Sequence, residues 1–295
     1  MPAEDRSTVR GLIAAFLADL AHANRSAHTR YAYAADLAQF AAQAPSAVEA
    51  LTPEVLRAFF ATLTHLSPAG RARKQAALAS FLSWAVRQEV LAANPMDRIE
   101  RVKPDPPQVR GRERGQIEAI LTQIPRSRLR DRVLFRLIVE TGVRIGEALA
   151  LQVEDLDLTL DDEHIRVVGK GNRRRTVLLD DSRLVADLRT YLRRTGYQHG
   201  ALFRAEKNYQ GGPLRYQSVH VRWAAYCRQA EVACTLHQLR HSHATELVNA
   251  GVSLATIRKR LGHQNIQTTL RYAEQSDSTA DSEIRRWRRE QTQKS

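Results

Sequence analysis

Apolar residues recur at three- and four-residue intervals through most of the first hundred positions. The pattern predicts helices near residues 7–21, 27–43, 53–65 and 69–91, each rich in Ala and Leu. Helix-start signals stand ahead of several: Ser26, then Thr52 followed by Pro53, then Ser67 followed by Pro68. A Ser or Thr side chain in that place accepts from a first-turn amide, and proline fits the first helical position because its missing N–H would go unused. In TRYAYAADLAQF the residues Tyr33, Leu37 and Phe40 share one face and read as core. GLIAAFLADL is apolar but broken by Asp19, so it reads as an amphipathic helix, and no apolar run approaches the ~18 residues a bilayer requires.

The pattern breaks at KPDPPQVRGRERG. Three prolines within four positions fit neither a helix interior nor a central strand, so residues 101–112 are expected to be a stiff, exposed linker. It separates a helical domain, 1–100, from a second domain, 113–295. In the second, helices are expected at about 114–123 and 129–140, with Gly142 as a stop and Gly146 in the next helix start. Residues 164–168 (HIRVV) and 175–179 (RTVLL) are β-rich runs flanking GKGNRRR, whose glycines and asparagine suit a hairpin turn. Helices then return: TLHQLRHSHATELVNAG ends at Gly251, and SLATIRKRLG opens at Ser253 and stops at Gly262. The tail from Asp281 reads as a charged helix with one large apolar anchor, Trp287. The fold class is mainly α with a small β-hairpin, an α+β arrangement.

Composition adds one strong bias. With 295 residues, 43% hydrophobic and 26% charged, the chain resembles an ordinary soluble protein of one large or two modest domains, but it carries a formal charge of +13. That excess attracts polyanions, which makes nucleic acid the leading partner class over a merely basic surface or an anionic membrane. Arg71, Arg73 and Lys74 open the fourth helix and suit either phosphate contact or a solvated face. Cys227 and Cys234 offer neither a disulfide framework nor metal-ligand spacing. MPAEDRSTVR lacks the order of a secretory signal, so a cytoplasmic protein with reduced thiols is expected.

The candidate chemistry starts from LGHQNIQTTLRYAE, which holds His263 and, nine residues later, Tyr272. A phenol is protonated at neutral pH, so a nucleophilic tyrosine needs a proton acceptor and a cationic setting. Attack on a phosphodiester also needs donors around the phosphate oxygens, and arginine's planar fork suits them best. Candidates exist for each part. Arg144 and Glu147 lie in TGVRIGEALAL, and Lys170 lies in the hairpin. His237 and Arg240 of HQLRH sit three apart on a helix start and share a face. Singly they are ambiguous: Arg144 also suits a surface salt bridge, and Lys170 with Arg173, Arg174 and Arg175 suits a solvated basic turn. His237, His241 and His243 invite a metal reading, but no HExxH occurs and arginines crowd the same turns, so no metal is expected.

In combination the motifs are specific. Arg in TGVRIGEALAL, Lys in VGKGNRRR, HQLRH, LGH and Tyr in TTLRY, in that order, resemble the tyrosine recombinase family of phage-type integrases and Xer-type recombinases. The likeness extends over nearly the whole chain, since TRYAYAADLAQF resembles the family's helical, SAM-like core-binding domain. It implies a C-shaped clamp on duplex DNA and a site-specific recombinase that needs neither ATP nor any cofactor. By that likeness Arg144 and Arg240 hold the scissile phosphate, Lys170 protonates the departing 5′ oxygen, and His237 takes the tyrosine's proton. His263 donates to a phosphate oxygen, Glu147 supports the basic cluster, and Tyr272 attacks to leave a 3′-phosphotyrosyl link. Arg71, Arg73, Lys74, Arg173, Arg174 and Arg175 are then the expected DNA contacts.

The resemblance further implies a recombination site in double-stranded DNA, a tetramer on two sites, and room for a second recombinase or a DNA-bending factor. It places the protein in the bacterial cytoplasm at the nucleoid, with no membrane partner. The short run before the first helix leads to the expectation that the extra arm-binding domain of larger integrases is lacking. Two departures stand out: His243 replaces a frequent aromatic residue, and RTVLLDD lacks a frequent proline. The motifs assign no role to His241 or His243, and they specify neither the DNA sequence nor the direction of reaction. Two other readings keep the same chemistry or drop it: a type IB topoisomerase, and a DNA-binding regulator with an inactive site.

Overall fold

The computed structural model describes residues 7–104, 111–169, 172–205, 211–263, 269, 270 and 272, and 281, 284, 285, 287–289 and 292 of the tail, the side chain of His28 excepted. The chain forms two compact units, Met1–Pro107 and Gln108–Ser295. Residues 105–110 of the proline-rich stretch lie outside the described residues.

The first unit packs α1 (Val9–His22), α2 (Ala27–Ala41), α3 (Pro53–Ala61) and α4 (Pro68–Arg87) around one core. The start signals act as expected. Ser26 Oγ accepts from the Thr29 amide at 3.1 Å, Thr52 Oγ1 from Val55 at 3.5 Å, and Ser67 Oγ from Gly70 at 3.2 Å. Leu37 and Phe40 are fully buried, and Tyr33 stacks on Phe16 with ring centroids 6.2 Å apart. α4 ends sooner than its periodicity suggests, because Glu89 turns left-handed at φ 58°. The basic opening of α4 is partly committed inward. Asp36, buried on α2, accepts from Lys74 Nζ at 2.9 Å and from Arg73, while Lys74 also reaches Gln39 Oε1 at 2.6 Å. Lys74 therefore neutralises a buried carboxylate, and Arg71, half-buried, is the basic residue of the three with no such tie to Asp36.

The second unit contains α5 (Arg114–Thr122), α6 (Leu129–Thr141), α7 (Ile145–Ala150), α8 (Ser182–Thr195), α9 (Tyr216–Gln229), α10 (Leu236–Asn249) and α11 (Leu254–Leu261). An antiparallel sheet joins β1 (Leu156–Asp157), β2 (His164–Val168) and β3 (Arg174–Leu178) in that order. Ile165 pairs with Val177, and both point into the core with Val167. β1 is not visible in the sequence pattern, since two residues paired through Leu156 and Ile165 leave no alternation to read. α6 is buried on nearly every side and carries Phe135 against Trp223 of α9, centroids 4.7 Å apart. Where the proline-rich stretch emerges, the Arg112 amide donates to Ser242 Oγ at 2.6 Å and so fastens the chain to α10. Among the described residues no helix is long and apolar enough to cross a membrane. The described tail residues are helical, and Trp287 is 57% exposed.

Candidate active site

The site begins at the corner between α6 and α7. Gly142 caps α6 in the left-handed region, φ 65°, with its amide on Ile138 O at 2.9 Å. A Cβ there would lie 2.6 Å from both His243 Cδ2 and Leu261 Cδ2, so conformation and crowding both call for glycine. The corner delivers Arg144 at the head of α7, with its side chain 41% exposed. Glu147, three residues on, folds back: Oε2 accepts the Arg144 amide at 2.9 Å and Oε1 accepts Arg144 Nη1 at 2.9 Å.

Glu147 also receives Arg175 from β3, whose Nη2 and Nη1 donate to Oε2 and Oε1 at 2.8 and 3.1 Å. Arg240 Nη1 stands 4.0 Å from Oε2. Burial alone would raise this carboxyl's pKa; the Arg175 hydrogen bonds, the Arg144 amide and the nearby charges outweigh it and lower it to about 2. Arg175 thus faces inward rather than toward solvent. Its Nε donates to Arg260 O at 3.1 Å, and its side chain packs under Gly262, where a Cβ would come within 3.0 Å of it. One guanidinium therefore ties the hairpin, the Glu147 turn and the end of α11 together. Arg173 and Arg174 are exposed.

α10 supplies the next groups. Thr235 and Gln238 cap it reciprocally, the Gln238 amide on Thr235 Oγ1 at 3.3 Å and the Thr235 amide on Gln238 Oε1 at 2.8 Å. That start puts His237 in the first turn, exposed, and Arg240 one turn later with a side chain only 3% exposed. Arg240 donates to Gly142 O at 2.7 Å and Leu261 O at 2.8 Å. These carbonyls close α6 and α11, whose C-terminal ends carry partial negative charge that suits a cation. Burial, then the charge of Arg144, lowers the Arg240 pKa to about 10, which leaves it charged at neutral pH. Partial desolvation of the His237 ring among its neighbours, then the charges of Arg240 and Arg144, lowers its pKa, which favours the neutral form.

The last two candidates meet here. His263 follows the Gly262 cap of α11 and is buried, with Nδ1 2.9 Å from Thr269 Oγ1. Its ring stacks on Tyr272 at 6.1 Å and 8°. Tyr272 is 2% exposed, and its hydroxyl lies 2.6 Å from His241 Nδ1. Burial, then surrounding positive charge led by Arg240, lowers His263 to about 4, so its ring is neutral near pH 7. His243 stands behind this group. Its Nε2 accepts from Arg260 Nε at 3.2 Å, and it fills the space under Gly142.

The structure thus brings Arg144, Glu147, Arg240, His263 and Tyr272 into one network, with His237 at its edge. Lys170 lies outside the described residues; beside it, Gly169 borders Glu147 Oε1, 3.4 Å from where a Cβ would stand. Two participants escaped the sequence reading. The sequence groups Arg175 with the turn arginines, although its place in the strand register opposite Val167 signals a different direction. His241 had no assigned role, although it lies four residues after His237 and so on the same face of α10. Among the described residues no group of three or more His, Cys, Asp or Glu side chains could hold a metal ion.

Comparison with known proteins gives concordant matches. Residues 113–279 match the phage integrase family, and residues 13–89 match the phage integrase N-terminal SAM-like domain. The tyrosine recombinase XerC of Mycobacterium tuberculosis is 32% identical over 275 residues, covering 84% of this chain and 88% of that protein. The XerC of Roseiflexus castenholzii is 32% identical over 280 residues, covering 88% and 87%. Among solved structures, the XerH site-specific recombinase bound to palindromic difH substrate, a post-cleavage complex, superposes with a TM-score of 0.75 at 23% identity, covering 90% of this chain and 81% of that one. A λ integrase dimer bound to a COC′ core site gives 0.71 at 16% identity, with 88% and 97% covered.

Proposed function

The chain belongs to the phage integrase family and is a tyrosine recombinase; from that premise we propose that Tyr272 cleaves and rejoins duplex DNA at a specific recombination site. The observation that carries this reading is the phenolic oxygen's seat, 2.6 Å from His241 on the turn that also bears Arg240.

Arg144 and Arg240 hold the non-bridging oxygens of the scissile phosphate, and His263 donates to one of them. Tyr272 Oη attacks phosphorus, the bond to the 5′ oxygen breaks, and Lys170 protonates that oxygen. A 3′-phosphotyrosyl ester conserves the energy of the diester it replaces, so a 5′ hydroxyl from another strand reverses the step without ATP. Charge stabilisation comes from guanidinium and imidazole groups that are fixed before substrate arrives.

The net charge of +13 suits a DNA partner. XerH and λ integrase were solved on DNA, the latter also as a tetramer on a Holliday junction. By that likeness four copies act on two sites, in the bacterial cytoplasm at the nucleoid. The test uses randomly nicked genomic fragments from the host. The wild-type chain traps a DNA adduct that survives denaturing electrophoresis, and Tyr272→Phe abolishes the adduct while DNA binding persists. Adduct formation by Tyr272→Phe overturns the assignment. Relaxation of any supercoiled plasmid without exchanged products favours a topoisomerase instead, and binding without adduct favours a regulator.

A further inference from the structure

We propose that His241, rather than His237, is the group that receives the phenolic proton of Tyr272 during strand cleavage. The inference rests on Tyr272 being the nucleophile.

The contact is direct: His241 Nδ1 lies 2.6 Å from Tyr272 Oη, with ring centroids 5.6 Å apart. General-base catalysis requires first of all that the acceptor stand within hydrogen-bond reach of the proton it removes. His241 follows Arg240 directly on α10, so the same helical turn that holds the phosphate clamp also holds the acceptor. His237 lies one turn earlier and meets His241 edge to face, centroids 4.3 Å apart. That arrangement fixes the plane of the His241 ring, with Nδ1 toward the phenol.

The electrostatic setting gives this acceptor a gate. His237 and Arg240 on its own helix, and His263 and Tyr272 from the segment packed on it, face the ring. Burial, then His237 and Arg240, lowers its pKa to about 4. Without DNA the ring is neutral; in the tautomer that carries its proton on Nε2, the Nδ1 lone pair accepts the phenolic hydrogen, and the ring is too weak a base to take the proton outright. A scissile phosphate seated on Arg240 and Arg144 brings negative charge into the same cluster, and negative charge stabilises an imidazolium. The base gains strength only when substrate is in place. In the step itself the Oη–P bond forms as the P–O5′ bond breaks. The Oη proton passes to His241 Nδ1, and the 5′ oxygen takes a proton from the general acid. Reversal returns both protons, so the cycle balances.

The experiment uses the full-length chain and a duplex recovered as its covalent adduct. Single-turnover rates of adduct formation are measured for wild type, His241→Ala, His241→Asn and His237→Ala, beside DNA affinity and thermal melting. His241→Ala is expected to slow cleavage by about 10²-fold or more, the usual weight of a general base, with little change in affinity. Added imidazole restores part of that rate. His241→Asn, which can accept the phenol's hydrogen bond but cannot take its proton, is expected to be as slow as His241→Ala. A substrate with sulfur at the 5′ bridging position leaves without a general acid, so it rescues Lys170→Ala and not His241→Ala. The proposal is overturned if His241→Ala cleaves within about threefold of wild type. It is also overturned if His241→Ala cleaves faster, which would make the contact a latch, or if His241→Asn retains full rate, which would make His241 a positioning residue. Should His241→Ala fail to fold, the His241→Asn rate decides alone. If the wild-type chain forms no adduct at all, the recombinase reading itself fails, which is a different result from a wild-type adduct that ignores His241.

Discussion

Arg175 grips Glu147 with both arms of its guanidinium, at 2.8 and 3.1 Å, and the pair is the hub on which the cationic site is built. Like-charged Arg144 and Arg240 stand within the same carboxylate's reach. Without it, guanidinium groups would face one another in a buried space. Breaking a buried pair by removing one charge typically costs about 3–5 kcal/mol. Glu147→Gln keeps the shape and removes the charge, so its urea midpoint should fall accordingly and cleavage should slow with it. A midpoint equal to wild type would show that the arginines need no counter-charge.

Arg175→Lys separates positioning from DNA contact. Lysine keeps the charge but cannot span both Glu147 oxygens and Arg260 O together. Cleavage is expected to slow by roughly tenfold, while DNA affinity and its salt dependence stay at wild-type values. If Arg175 instead touched a phosphate, the salt slope would drop by about one.

The exposed turn arginines should behave the opposite way. Arg174→Gln removes an exposed charge from the hairpin. It is expected to reduce the salt slope by about one unit without altering the cleavage rate of saturated complexes. For the wild-type chain, contact with six phosphates would lower affinity ~10³-fold between 50 and 200 mM salt. Binding titrations across that range measure both quantities, and a flat response would remove the electrostatic argument.

Much of this was legible along the chain because the signals are local. Ser26, Thr52 and Ser67 each cap a helix, as their place before an apolar stripe implies. Gly142 and Gly262 stop helices in the left-handed conformation, as glycines after the last periodic residue should. What the chain concealed depends on tertiary direction. Arg173, Arg174 and Arg175 are identical in type, and only the strand's alternation sends the third inward. Lys74 looks like Arg71 until Asp36, thirty-eight residues away, is seen to claim it. His241 is one of three histidines in seven residues, and nothing local says that Tyr272, thirty-one residues on, returns to it.

Acid should unfold the second unit from an unusually high pH. His241, His243 and His263 each have pKa values lowered from 6.5 to about 4, burial being the largest cause in each. A histidine with a lowered folded pKa is held neutral by the fold, while the unfolded chain takes up the proton near 6.5. Its stabilisation is complete above 6.5 and is lost as pH falls toward 4. Each contributes a slope of up to ~1.4 kcal/mol per pH unit in that window. Glu147, lowered to about 2 from 4.5, adds its loss at lower pH, between 4.5 and 2. Denaturant midpoints at pH 7.5, 6 and 5 should therefore decline steadily. His243→Gln, which removes one buried imidazole away from Tyr272, should make the decline shallower. A midpoint that is constant from 7.5 to 5 would contradict the burial argument.

Gly142 and Gly146, four positions apart at the site's first corner, should respond in opposite ways to the same substitution. At Gly142 a methyl group meets three obstacles: φ of 65°, His243 Cδ2 at 2.6 Å and Leu261 Cδ2 at 2.6 Å. The left-handed conformation costs an L-residue about 1–2 kcal/mol, and overpacking typically adds about 1–3 kcal/mol. The damage also reaches the chemistry, because Gly142 O accepts from Arg240 Nη1 at 2.7 Å, and a displaced carbonyl releases the clamp. At Gly146, inside α7, a Cβ would meet nothing within 4 Å. Alanine there gains helix propensity of up to ~1 kcal/mol. Gly142→Ala is thus expected to lose stability and cleavage together, and Gly146→Ala to lose neither. Equal denaturation midpoints for the two variants would mean that the corner's geometry does not constrain the site.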